Sequence, residues 1–219
     1  MIADNVDAQQ LSELLLDDPM MCLQLLADVA SLRPGESNIE TVTGAILMMG
    51  VDPFLNRYCD QPTIEYALAL EPAAMHAYRR LLRRALHSAS LAGAFSVARQ
   101  DTDIELVYMA ALLGNVNSLV ACVCEPSQAQ ALADGPDDSA QAATLMQSMG
   151  LPAHLTDLVA ASPDKIDAQK HRIRLAHRFA WVLESGWSHP EMPALLDELA
   201  ALLGLSLASA RNAIDQAAR

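Results

Sequence analysis

The chain has 219 residues, of which 52% are hydrophobic, and its formal net charge is −13 at pH 7. This composition excludes a disordered chain, because it supplies enough apolar surface for a sizeable buried core. The negative charge disfavours a general nucleic-acid binder or a binder of anionic membranes, since both usually present a basic surface.

Residue usage also indicates a fold class and a cellular setting. Aromatic residues make up only 4% of the chain, whereas Ala, Leu and Met are abundant, and this balance predicts an all-α fold. The four cysteines show no spacing typical of a zinc site or a disulfide scaffold. We expect neither a secretion signal nor an apolar run long enough to span a membrane, and therefore a cytoplasmic protein. We also expect no cofactor.

Three helices are predicted near the N-terminus. A short helix is expected over about 7–16, and a second begins where Asp18 caps Pro19. The third lies in "SNIETVTGAILMMG", with Ser37 or Asn38 as its cap and Gly50 as its end. They predict a helical subdomain over about 1–60, joined to a core over 61–219 within one domain spanning 1–219.

The centre of the chain predicts two long helices. The first covers roughly 73–99, and the second is nearly all apolar and runs from Thr102 or Asp103 to Pro126. Gly114 and Asn115 lie inside this second predicted helix, although helix interiors disfavour both residue types. After a loop at "ALADGPDDSA", further helices are predicted near 137–149, 152–161, 167–185, 191–203 and 206–218.

Two features of the long helix over 73–99 are candidate binding or ligand sites. Arg79, Arg80, Arg83 and Arg84 pair at positions i and i+4, which predicts either a face that binds a phosphate-like anion or a solvated face paired with acidic residues. We favour the solvated face. His87 is interpreted as a hydrogen-bonded histidine between helices rather than as a metal ligand, because no HxxxH pair accompanies it.

Several segments, taken in order, carry a family resemblance. They read "DPMMCLQLL", "SNIETVTGAILMMG", "ALHSASLAGAFSVARQ", "DIELVYMAALLGNV", "SMGLPAHLTDLVAAS" and "RIRLAHRFAWVL". The chain from about residue 11 to its end resembles the HDOD family, which is a metal-free branch of the HD and HD-GYP phosphohydrolases. The resemblance implies a compact helical bundle of the HD superfamily type.

The resemblance also implies a lost metal site. Gly114 and Asn115 stand where the enzymes carry the metal-binding His-Asp pair, and Ala161 and Ser162 stand where a His-His pair is common. His87 is the surviving member of this vestigial site. A glycine and a neutral amide are poor ligands for a hard cation, so we expect no metal and no catalysis. We also expect Gly114 to admit the helix that carries His87, and Asn115 to hydrogen-bond across the former metal cavity.

The implied function is a non-catalytic bacterial signalling or regulatory module that binds protein partners. A nucleotide or cyclic dinucleotide is a further candidate ligand, whereas nucleic acid and membranes are not expected. One alternative is a residual phosphohydrolase that recruits metal through His87, Asn115 and acids such as Asp101 or Asp103. Another is an oligomerisation scaffold that uses a methionine-rich surface, formed by Met20, Met21, Met48 and Met49. The sequence does not specify an oligomeric state.

Overall fold

The computed structural model describes residues 7–32, 38–135, 138–160 and 167–217, and these ranges contain helices and no strand. The predicted all-α fold is therefore confirmed. The helices are α1 (Ala8–Leu15), α2 (Pro19–Leu32), α3 (Val42–Met49), α4 (Val51–Tyr58), α5 (Ile64–Ala67), α6 (Pro72–Ala98), α7 (Ile104–Leu113), α8 (Val116–Cys124), α9 (Ala129–Asp134), α10 (Ser139–Ser148), α11 (Ala153–Ala160), α12 (Ala168–Leu183), α13 (Met192–Leu203) and α14 (Leu207–Ala217). A single 3-10 turn, Pro126–Gln128, precedes α9.

Side-chain caps begin several of these helices. Asp18 Oδ1 accepts hydrogen bonds from the backbone N–H groups of Met20 and Met21, each at 3.0 Å, which confirms the predicted start of α2. The start of α3 was predicted wrongly. Thr41 rather than Asn38 caps that helix, accepting from Gly44 N at 3.2 Å, and Ser37 lies outside the described residues.

Three short helices, α4, α5 and α9, were not predicted. Each has eight residues or fewer and therefore spans at most about two helical turns. Helix α4 buries Phe54 and Tyr58, whose rings pack 4.8 Å apart one turn from each other. Helix α9 overlaps the predicted loop and buries Ala129 and Ala133. Packing against the rest of the protein therefore stabilises α4 and α9 as helices.

Helix α6 is the central element of the fold. It spans 27 residues, close to the predicted helix over 73–99, and packs most extensively against α7 and α12. Fully buried small residues such as Ala85 and Ala89 face these neighbours, and small side chains let helix axes approach closely. Further along α6, Phe95 meets Phe179 of α12 edge to face, with ring centroids 6.1 Å apart. The scaffold helix thus fixes the positions of the later helices.

Two hydrophobic clusters fill the interior. The main cluster joins residues of the N-terminal helices, such as Leu25 and Ile46, to residues of the later helices, such as Leu112 and Phe179. A smaller cluster surrounds Tyr78, where α6 meets α8 and α9. The N-terminal helices thus share one core with the rest of the chain. The division into a subdomain over about 1–60 and a core over 61–219 stays a prediction.

One helical segment contradicts a sequence expectation. Ile104–Cys124 is long and apolar enough to cross a membrane, with a mean hydropathy of 1.8 over 18 residues, although no such run was expected. However, 72% of this window is buried inside the described part of the protein. The core helix of a folded domain has the same properties, because it is surrounded by other helices on most sides.

Candidate functional site

The apolar segment 104–124 is broken at Gly114 and Asn115. Helix α7 ends at Leu113 and α8 begins at Val116, so the prediction of one uninterrupted helix was wrong. The break leaves backbone N–H groups in the first turn of α8 without a partner in their own helix. A break at this point is stable only where other groups accept those hydrogen bonds.

Asp138 supplies the missing acceptor from the start of α10. Its Oδ2 atom accepts hydrogen bonds from Ser118 N at 2.7 Å and from Ser118 Oγ at 2.6 Å. The Asn117 amide nitrogen lies 3.4 Å from the same oxygen. A carboxylate at a helix N-terminus is also favoured by the helix dipole. The polar residues in this apolar run therefore join α8 to α10.

The substitution Asp138→Ala should lower the free energy of unfolding by about 2 kcal/mol, because it removes the cap of α8 and leaves buried donors unpaired. Urea unfolding followed by circular dichroism would measure the change. Asp197→Ala is the matched control, since Asp197 is exposed and does not cap a helix. Equal stability of the two variants would contradict the capping role.

Gly114 lies against the imidazole ring of His177 on α12. A Cβ atom added at Gly114 would lie 2.3 Å from His177 Cε1 and 2.4 Å from Nε2, which is too close for any side chain. We predicted that Gly114 admits the helix carrying His87, and this prediction was wrong because the close neighbour is on α12. Glycine is required here because the histidine ring occupies the space that a side chain would fill.

Asn115 contacts the same histidine. Its Nδ2 atom lies 3.4 Å from His177 Nδ1, and the two residues are 3% and 5% exposed. Asn115 therefore does hydrogen-bond to a neighbouring helix, through a histidine that the sequence reasoning missed. His177 could have been recognised, since it lies in "RIRLAHRFAWVL" among apolar residues at helical spacing.

The other predicted members of the vestigial site lie elsewhere. His87 is half buried on α6 and makes no hydrogen bond to another described residue, so its interpretation as a hydrogen-bonded histidine between helices was wrong. Ala161 and Ser162 lie outside the described residues. No three His, Cys, Asp or Glu side chains converge as a metal-binding group within the described ranges. The prediction that the protein binds no metal stays a prediction.

His87 lines a second feature, which we call the arginine cavity. This cavity has a volume of about 540 Å³ and is lined by residues of α6, α9, α12 and the turn that follows α12: Arg80, Arg83, Arg84, His87, Asp134, Trp181, Leu183, Glu184 and Ser185. It therefore contains three of the four arginines that were predicted to form a basic face.

The four arginines of α6 divide into two pairs with different roles. Arg84 is 4% exposed and donates to Glu184 at 2.7 and 3.1 Å and to the carbonyl oxygen of Ala133 at 2.8 Å. Arg80 also donates to Glu184, at 2.9 Å, and forms an ion pair with Asp134. Two of the guanidinium groups are therefore paired with acids, as the favoured interpretation predicted, but Arg84 is buried and the prediction that it is solvated was wrong.

Arg79 and Arg83 form the second pair. Both are exposed, and neither forms an ion pair with another described residue. Arg83 lines the arginine cavity together with His87, whereas Arg79 does not. Burial lowers the pKa of His87, and the charge of Arg83 lowers it further, while Glu184 opposes the shift. The cavity thus holds one unpaired guanidinium beside a histidine that stays neutral more readily than usual.

This histidine gives a pH-dependent prediction. Because its pKa is lowered from the ordinary 6.5 in the folded state, the unfolded chain binds the extra proton more readily. Stability should therefore fall as the pH drops from 6.5 toward the folded pKa. NMR titration should place the His87 pKa below 6.5, and Arg83→Gln should raise it. An unchanged His87 pKa in that variant would contradict the contribution of Arg83.

The fold is similar to the crystal structure of the MmoQ response regulator from Methylococcus capsulatus str. Bath, with a TM-score of 0.71 and 16% identity over 97% of this chain and 91% of that one. An HDOD domain protein with unknown function from Geobacter sulfurreducens is aligned over 99% of this chain and 88% of that chain, with 15% identity and a TM-score of 0.39. No curated protein sequence matches the chain. The HDOD domain model matches residues 1–161, which is most of the sequence, and the chain therefore belongs to the HDOD family.

Proposed function

We propose that this protein is a non-catalytic signalling or regulatory module of the bacterial cytoplasm that acts by binding a protein partner. One observation carries the proposal: the His177 ring occupies the space beside Gly114. The family resemblance places the metal-binding histidine of the enzymes at this position. A packed histidine and a neutral amide fill this place, and neither Gly114 nor Asn115 offers an anionic ligand to a metal ion. The response-regulator name of the MmoQ fold neighbour also supports a signalling role.

Metal analysis combined with phosphomonoesterase and phosphodiesterase assays would test the absence of catalysis. We expect neither stoichiometric metal nor turnover in the purified protein. Stoichiometric Mn, Fe or Mg together with turnover that His87→Ala abolishes would overturn the proposal in favour of a residual phosphohydrolase. Capture of interacting proteins from the native cell is expected to recover a signalling partner, whereas recovery of the chain itself alone would favour an oligomerisation scaffold.

A second candidate function is the binding of a small anion, such as a nucleotide or a cyclic dinucleotide, in the arginine cavity. The observation that favours it is Arg83, which is exposed toward the cavity and has no ion-pair partner among the described residues. Guanidinium groups bind phosphate through two parallel hydrogen bonds.

Thermal-shift measurements with a panel of nucleotides would test this candidate, because a ligand that binds only the folded state raises the unfolding temperature. Arg83→Gln should abolish the shift. Arg79→Gln is the matched control, since Arg79 is exposed on the same helix but does not line the cavity. Equal shifts in both variants, or no shift with any nucleotide, would exclude this function.

A further inference from the structure

A second cavity of about 720 Å³ opens between the N-terminal helices and α6, and we call it the α2–α6 groove. Its walls are largely apolar and come from helices α2, α6, α8 and α10 and from the residue that ends α10: Met20, Met21, Leu82, Val120, Leu145 and Met149. All six are only partly buried. Apolar side chains of separate helices are thus left partly uncovered in one concave surface, which is typical of a binding site.

The rim of the groove is acidic. Asp17 and Asp18 precede α2 at one side, and Glu65 lies on the short helix α5. All three are exposed, and no Lys, Arg or His of the described ranges lines the groove. Negative charges on separate elements therefore flank an apolar floor. This arrangement is complementary to a ligand that carries positive charges on either side of an apolar ridge.

Tyr78 adds a polar group to the walls of the groove. It lines the groove and is 5% exposed, yet its hydroxyl makes no hydrogen bond to another described residue. Burial raises the pKa of Tyr78, and the charges of Asp18 and Glu65 raise it further, so the hydroxyl stays protonated. The hydroxyl is therefore available to a ligand in the groove as a hydrogen-bond donor and acceptor.

We propose that the α2–α6 groove binds a basic amphipathic helix of a partner protein, with its apolar face on the methionine-lined floor and its Lys or Arg side chains at the acidic rim. The inference rests on the proposed binding function and specifies the partner's chemistry. Helices that bind in grooves insert anchors at i, i+3 or i+4 and i+7, and this requires a long apolar floor with polar edges. Met20, Met21 and Met149 suit such a partner, because unbranched thioether side chains adapt to different apolar surfaces.

A fluorescent Leu/Lys amphipathic helix of roughly 15 residues is a suitable probe. The probe should bind the intact protein, and the variant Asp17→Lys/Glu65→Lys should weaken binding roughly tenfold. The control Glu13→Lys/Asp197→Lys changes the net charge equally at exposed acids that do not line the groove, and should leave the affinity within about twofold. Asp18 is left unchanged because it caps α2.

The substitution Tyr78→Phe removes only the hydroxyl and should weaken binding about threefold without lowering the unfolding temperature. A second probe with Ser in place of Leu and the same charge should bind much more weakly. Equal binding of the two probes, or equal loss in the two lysine double variants, would overturn the proposal, because it would show attraction by net charge alone.

Methionine methyl NMR would locate the probe directly. The methyl signals of Met20, Met21 and Met149 should shift on addition of the probe, whereas those of the fully buried Met109 and Met146 should not. Shifts confined to other methionines would overturn the proposal. Full displacement of the probe by spermine would reassign the groove to a small organic cation, and concentration-dependent self-association lost in Asp17→Lys/Glu65→Lys would reassign it to a second copy of the chain. The phosphatase and metal assays decide the non-catalytic role independently of all these outcomes.

Discussion

The substitution Gly114→Ala is expected to lower the free energy of unfolding by roughly 3 kcal/mol, which is a large effect for the addition of one methyl group. The new Cβ atom would lie 2.3 Å from a ring carbon of His177, and both residues are in the interior where neither helix can move freely. A larger residue such as leucine should be more destabilising still. Chemical denaturation of the two proteins would measure the difference.

Gly93→Ala is a matched control for this experiment. Gly93 is a buried glycine within α6, but its added Cβ atom would meet Tyr108 Cδ2 at 3.5 Å, an ordinary contact distance. That variant should be neutral or more stable, because alanine favours a helix by about 1 kcal/mol. A double-mutant cycle with His177→Ala should recover part of the loss at Gly114, since the smaller side chain vacates the occupied space. Additive effects, or a Gly114→Ala protein as stable as the parent, would contradict the close packing of Gly114 against His177.

The substitution Glu184→Gln is expected to lower the free energy of unfolding by roughly 3 kcal/mol, because it removes the negative charge to which the buried guanidinium of Arg84 is hydrogen-bonded. Arg84 is 4% exposed and Glu184 is 22% exposed, so water compensates little of this loss. Arg84 would retain its bond to the Ala133 carbonyl, which tethers it to α9 but supplies no negative charge. Thermal and urea unfolding would measure the change.

The same ion pair predicts a pH dependence. Burial alone would raise the pKa of Glu184, but hydrogen bonds and charges from Arg84 and Arg80 outweigh it and lower the pKa below the ordinary 4.5. The stabilisation is therefore complete above pH 4.5 and is lost as the pH falls through the lowered value. The stability difference between the parent and Glu184→Gln should narrow over this acidic range. Glu191→Gln is the control, because its pair with Arg178 is exposed and 3.5 Å long, and it should change stability by less than about 0.5 kcal/mol.

The helical repeats of apolar residues along the chain made most of the fold predictable. The 27 residues of α6 gave a clear helical repeat, and the cap residue Asp18 marked the start of α2 correctly. The break within 104–124 was not predicted, because the carboxylate that stabilises it comes from Asp138, twenty residues further along the chain. Short helices such as α4 were missed because their stability comes from packing rather than from their own sequence.

The site was less predictable than the fold. The sequence singled out Gly114 and Asn115 by their low helix propensity, but it could not identify His177 as their neighbour, because 62 residues separate Asn115 from His177. The arginines of α6 were recognised as a group, yet only the fold reveals that Glu184, a hundred residues after Arg84, neutralises two of them. Contacts of this kind depend on tertiary structure, and local sequence patterns do not indicate them.

Helix α6 lines both cavities. Tyr78 and Leu82 face the α2–α6 groove, while Arg80 and Arg84 lie about half a turn away and face the arginine cavity. A shift or rotation of this one rigid helix would therefore change the shape of both cavities at once. If each cavity binds a ligand and α6 couples them, each ligand changes the protein's affinity for the other ligand. Thermodynamic linkage requires that the factor is the same for both ligands. Helix α6 would then couple ligand binding in one cavity to ligand binding in the other.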